Sequence, residues 1–323
     1  LFGKAPFKNC IVLGLVGDEH GVKMSKHKGN VVDPWEVMEQ YGADAIRWYF
    51  YVSSAPWIST NFDGAAINEH QRRFMGTMWN TFHFYNLYSG IDGFNAAEYK
   101  LADCKLTMMD RWILGALNSL IKKVDTELEG YHITEAAREL VDFVDIMSNW
   151  YVRRCRRRFW MSELTEDKIA AYVTLYTVLD SLIRMAAPFV PFITETIYQS
   201  LVRKNNPDAP ISIHMCSFPE CDESYIDEKL EHDMELVYNS VGIARNARNL
   251  ANLKIRQPLS RLLVCVDGDD AKFDDEMLSI IAEELNVEKA EQVESTKGFI
   301  AHEIKPQLKT LGPKYGKVLN AIR

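Results

Sequence analysis

Apolar residues recur at intervals of three and four along most of this 323-residue chain, and each recurrence predicts a helix with one buried face. Ile67, Phe74, Met78 and Tyr85 form one stripe, closed by Gly90. Thr107-x-x-Asp110 has the form of a capping box for a second helix, whose face carries Ile113, Leu117, Leu120, Val124 and Leu128 before Gly130. Leu140, Val144, Met147 and Tyr151 mark a third. Thr165 opens a fourth, which runs through Ile169, Tyr172, Tyr176, Leu179 and Ile183 until Pro188 stops it. A shorter helix follows Pro191, and Leu230, Met234, Val237, Val241 and Ala244 predict a fifth long one. Rods of about 20 residues are roughly 30 Å long and bury their apolar faces on one another, so residues 63–256 read as a helical bundle.

The pattern changes at both ends. Residues 1–62 alternate short elements with tight connections: a strand over 10–16, a turn at Asp18-Glu19-His20-Gly21 and an extended stretch over 22–26. Asp33-Pro34-Trp35-Glu36 then combines an N-cap acid, Pro at the first helical position and Glu at the third. Gly42 is placed to end that helix, and Asp44 to start another. Within 257–323, residues 261–266 read as a strand, Asp267-Gly268 as a turn, and an acidic helix with strands near Val287 and Phe299 completes a small α/β domain. The expected fold is thus mainly α, in three segments: 1–62, 63–256 and 257–323.

Composition adds limits. A 47% apolar content is ample for two or three cores. The net charge of −8 argues against nucleic-acid binding by the whole surface, so any such contact must be local. Arg153-Arg154-Cys155-Arg156-Arg157-Arg158 is the densest cationic run. The six cysteines are scattered singly, and Cys216 and Cys221 beside His214 lack a fourth ligand, so no zinc site is expected and a reducing cytoplasm is. No apolar stretch reaches the roughly 20 residues that cross a bilayer, so no membrane contact is expected either. The opening Leu1-Phe2-Gly3-Lys4-Ala5-Pro6 has no initiator Met and no signal-peptide pattern, and reads as the start of a piece of something longer.

The sharpest chemical feature is Lys23-Met24-Ser25-Lys26-His27, followed by Lys28-Gly29-Asn30. Two lysines separated by Met-Ser on a Gly-flanked loop can place both ammonium groups on one polyphosphate through charge-assisted hydrogen bonds. Such a loop suits attack of a carboxylate on an α-phosphate, because positive groups then meet the charge that grows as pyrophosphate leaves. A bare pair of lysines is equally a solvated basic loop; the surrounding string decides between the two.

That string, with Gly29-Asn30-Val31-Val32-Asp33-Pro34 and Tyr41-Gly42-Ala43-Asp44-Ala45-Ile46-Arg47, resembles the signature loop of class I aminoacyl-tRNA synthetases and its continuation in the isoleucine, valine and leucine group. Ser53-Ser54-Ala55-Pro56-Trp57, Asn149-Trp150-Tyr151-Val152-Arg153-Arg154, Arg158-Phe159-Trp160, Lys254-Ile255-Arg256-Gln257-Pro258-Leu259 and Leu311-Gly312-Pro313-Lys314-Tyr315-Gly316-Lys317 are most similar to the isoleucyl-tRNA synthetases of that group. The resemblance implies the end of a Rossmann-type catalytic domain, then an anticodon-binding bundle, in a monomer that joins isoleucine to tRNA(Ile) with ATP and Mg. It assigns Lys23 and Lys26 to the triphosphate and departing pyrophosphate, Met24 and Ser25 to the adenine side, and Gly29 and Asn30 to the loop's exit. His27 stands where the family loop commonly has Ser. The family's His-x-Gly-His motif and its editing insertion are absent, so this chain alone is expected neither to activate isoleucine nor to edit. A tRNA-binding module without chemistry, and the valine or leucine relatives, remain open.

If the bundle contacts RNA, charge clustering and helical spacing single out Arg153, Arg156 and Arg157, which radiate away from the stripe of the third helix, and Arg245 and Arg248, grouped with Lys254 and Arg256 on the fifth helix and its exit. Arg154 and Arg158 continue the apolar stripe, either paired with acids inside the bundle or exposed at its tip. Trp150, Phe159 and Trp160 are either stacking surfaces or core. Lys305, Lys309, Lys314 and Lys317 form a third basic group.

Overall fold

The computed structural model describes residues 3–266 and 272–295, and most of its helices begin where their caps place them. Asp33 accepts the Trp35 N–H at 2.8 Å, and Pro34 takes the first position of α1 (Pro34–Tyr41). Gly42, at φ 85°, then turns the chain directly into α2 (Ala43–Ser53), a backbone conformation that a side chain would strain. The strand expected over 10–16 shrinks to β1 (Val16–Gly17), paired in parallel with β2 (Thr60–Asn61). Val12 and Leu13 are 73% and 70% exposed. A strand needs neighbours to satisfy its backbone, and among the described residues only β2 and a bridge from Gly17 to Lys23 lie beside this one.

Residues up to Glu231 form one compact unit. In it α3 (Gly64–Gln71) and α4 (Thr77–Asp92) join through a π-turn at Arg72–Gly76 into one rod, with Ile67, Phe74 and Met78 fully buried. The rod does not stop at Gly90: Gly93, at φ 63°, closes it with the left-handed C-cap that ends many helices. The capping box of α5 (Met108–Glu129) is present as expected. A second rod combines α6 (Ile133–Ile146), a π-turn at Met147–Val152 and α7 (Arg153–Trp160), about 40 Å in all at 1.5 Å per residue.

Between the rods lies α8 (Glu166–Ala186), packed on α4, α5, α7 and α9 (Pro191–Tyr198). Contrary to the sequence expectation, α8 is long and apolar enough to cross a membrane, but 67% of that stretch is buried inside the bundle, where Tyr172, Leu175, Leu179 and Leu182 are core. Each such Leu contributes about 1.5–3 kcal/mol of burial. Trp48 of α2 stacks on Phe74 with ring centroids 3.8 Å apart, which joins the segment before residue 62 to the bundle core.

The second unit begins at His232, within α10 (Glu228–Leu250). It contains β3 (Leu259–Val264), α11 (Asp275–Leu285) and β4 (Val287–Gln292), the strands parallel with Leu259 opposite Val287 and Val264 opposite Gln292. Met277, Ile280, Ile281 and Leu285 of α11 are its buried face. The turn at Asp267-Gly268, the strand near Phe299 and Lys305, Lys309, Lys314 and Lys317 lie outside the described residues.

Candidate functional site

The lysine loop is held by one carboxamide. Asn30 Nδ2 donates to Asp18 Oδ2 at 2.8 Å and to the Lys23 carbonyl at 3.4 Å, while its Oδ1 accepts the Ser25 N–H at 2.9 Å. Asp18 also accepts the His20 and Val22 N–H groups. The hydrogen bonds from Asn30 and then Val22 hold the Asp18 carboxyl below its ordinary pKa, so it stays ionised and keeps the turn closed. Ser25 caps the short turn Lys26–Lys28 by accepting the Lys28 N–H, and Gly29, at φ 66°, returns the Gly29 N–H to the Lys26 carbonyl. Lys23, Lys26, His27 and Lys28 all lie exposed on this frame, and none has an acid partner among the described residues. A fixed backbone carrying unneutralised ammonium groups is what a polyphosphate requires.

Behind the loop, α2 is fastened to the bundle at both ends. Asp44 accepts the Phe192 and Ile193 N–H groups at the start of α9, at 3.1 and 2.8 Å. Burial raises the Asp44 carboxyl pKa, partly offset by those two donors. Arg47 donates to the carbonyls of Phe189 and Pro188 at 3.0 and 2.7 Å. At the other end Arg138 of α6 donates to the Val52 and Ser53 carbonyls, and Thr134 to that of Ser54. These groups satisfy helix ends that would otherwise be orphaned. Their partners lie 80 to 149 residues away, so no local pattern in the sequence announces them.

The arginine run divides. Arg158 forms a bidentate pair with Asp110, at 2.7 and 2.9 Å, and also reaches Asp167. Asp110 is fully buried, and the same carboxylate serves the capping box and accepts the Tyr151 hydroxyl at 2.7 Å. Burial pushes this carboxyl up, but Arg158, Tyr151 and Thr107 outweigh it and bring it below the ordinary value. Arg153 donates to the Asn149 carbonyl, and Arg153 and Arg154 both lie against the Trp150 ring. Arg156 and Arg157 are exposed and, among the described residues, carry no hydrogen bond or ion pair. Trp150 and Phe159 are each 1% exposed, whereas Trp160 is 55% exposed.

The second expected cluster is not a uniform basic surface. Arg245 pairs with Glu284 of α11. Arg248, expected to face RNA, is instead 6% exposed, and its guanidinium donates to the carbonyls of Leu285, Lys254 and Gln257. It sits seven residues after Val241 on the same stripe, a signal that could have placed it inward. The loop lysines and the arginine run do not meet: Arg138 fastens α6 to α2, and Arg156 lies 18 residues further along that rod, about 27 Å.

Two family models match: tRNA synthetases class I (I, L, M and V) over residues 1–62, and the anticodon-binding domain of tRNA ligase over residues 110–263. The chain belongs to the class I aminoacyl-tRNA synthetases, a family that uses ATP. Within that class its similarity over the full length is to isoleucine–tRNA ligases: 52% identity with that of Clostridium novyi, 51% with that of Clostridium acetobutylicum and, over 99% of the chain, 40% with that of Porphyromonas gingivalis. It spans 31%, 31% and 28% of those relatives, about a third of their length. Among solved structures, the LeuRS of Agrobacterium radiobacter K84, in a ternary complex with tRNA and LeuAMS, shares the fold at a TM-score of 0.50 and 23% identity, over 67% of this chain and 24% of that one.

Proposed function

We propose that this chain supplies the phosphate-binding loop and the tRNA-binding bundle of an isoleucine–tRNA ligase. In the reaction the isoleucine carboxylate attacks the α-phosphate of ATP, a carboxyl-oxygen-to-phosphorus bond forms, and the bond to the β-phosphate breaks as pyrophosphate leaves. Lys23 and Lys26 meet the negative charge that gathers on the departing group, and Met24 and Ser25 lie toward the adenine. The observation that carries this reading is the set of exposed lysines without counter-ions on a loop pinned by Asn30. ATP enters with Mg as substrate, and the reading includes no zinc in this segment. Arg153, Arg156, Arg157 and Arg245 serve tRNA(Ile), the parent protein acts as a cytoplasmic monomer, and the buried Arg248 braces its own unit.

The test is Lys26→Ala in the full-length parent, read by isoleucine-dependent ATP–pyrophosphate exchange. Loss of one such donor should lower the rate about 100- to 1000-fold and leave tRNA(Ile) binding intact. Unchanged exchange would remove the lysine assignment. The second reading, a tRNA-binding module, applies to the 323-residue chain by itself, because it contains no His-x-Gly-His. Exchange by that chain above its own Lys26→Ala control would overturn it.

A further inference from the structure

We propose that Trp160 is a stacking platform for an unpaired RNA base, with Arg156 and Arg157 holding the phosphates beside it; this rests on the tRNA-binding reading above. Of the three aromatics around the arginine run, Trp150 and Phe159 are core and Trp160 alone presents its ring to solvent, at 55% exposure. Arg156 and Arg157 precede it by four and three residues, so they stand one helical turn away on the same side, about 5–6 Å between Cβ atoms. Neither has a partner among the described residues, in a chain whose net charge is −8. The local positive charge therefore favours a polyanion, and the indole favours a flat π-system. A nucleotide combines both.

The platform is also rigid. Phe159 is packed edge-on against Phe84 and Tyr172, at centroid distances of 5.1 and 5.0 Å. On its other side the Met161 carbonyl accepts the Lys168 ammonium at 2.6 Å, and that buried ammonium pairs with Asp92. The backbone carrying Trp160 is thus fixed before any ligand arrives, so stacking orders little beyond a side chain with two torsions. An indole meets a base face only where the base is out of its own stack, which selects a single-stranded loop over a duplex. Arg157, in the last turn of α7, also complements the negative end of that helix, a role that needs no RNA.

Gel-shift titrations of the 323-residue chain with tRNA(Ile) transcript, at several salt concentrations, separate these roles. Trp160→Ala should lower affinity about tenfold or more, and Trp160→Phe should retain most of it. The Arg156→Ala, Arg157→Ala pair should flatten the salt slope by about two units, while all variants melt like the parent chain. A blunt RNA duplex should bind Trp160→Ala and the parent chain equally. Equal tRNA affinity for Trp160→Ala and the parent chain overturns the platform and leaves tRNA binding standing. An equal loss on the duplex overturns base stacking as the cause. Failure of the unsubstituted chain to bind tRNA sinks both readings.

Discussion

The lysine loop and the arginine run are both dense in positive charge, yet they handle it in opposite ways. On the loop every cation faces solvent, because the turn Lys26–Lys28 is too short to have an inside, and the hydrogen bonds of the uncharged Asn30 carboxamide hold it in place. On the rod, 3.6 residues per turn send consecutive side chains around the whole circumference, so a run of five arginines must aim at least one at the core. There Arg158 meets the buried Asp110, Arg153 and Arg154 lie on Trp150, and Arg156 and Arg157 remain outside. Charge density along a helix therefore says little about surface potential until each charge has been followed to its partner.

The largest effect should come from Asp110→Ala, which leaves Arg158 without its bidentate partner inside the bundle. Breaking one side of a buried pair costs about 3–5 kcal/mol, read as a lower denaturant midpoint. The comparison breaks if Lys28→Ala, on the exposed loop, is as costly. Lowering the pH should weaken the bundle next. The Asp110 carboxyl lies below its ordinary value when folded, so its contribution is complete above an unfolded pKa of about 4 and fades as pH falls through the lower folded one. Asp110→Asn should remove that part of the acid dependence from a melting series; an unaltered profile would assign acid sensitivity elsewhere. The smallest effect is on stability in Arg156→Ala and Arg157→Ala, each within about 0.5 kcal/mol. A larger loss in thermal melts would show that these two also serve the fold.

Much of the architecture was legible in the chain itself. The stripes from Ile67 to Tyr85 and from Ile113 to Val124 are buried as their spacing requires, and Asp33, Thr107 and Thr165 cap the helices they precede. The lysine motif and its Gly29-Asn30 exit were visible for the same reason: these signals act between residues within a turn or two of one another. Even Arg248, aligned with Val241, could have been read inward. Tertiary structure alone decided the rest. The apolar run over residues 10–16 becomes a strand only with neighbours beside it, so β1 is two residues long. Asp110 announces a cap, but its second role depends on Arg158, 48 residues away. Asp44 and Arg47 find their partners on α9 and the turn before it, and Trp160 differs from Trp150 only in what packs over it. Caps and periodicity are set by the covalent neighbourhood of a residue, whereas these pairings depend on where separate rods cross, and spacing along one rod does not encode its crossing with another.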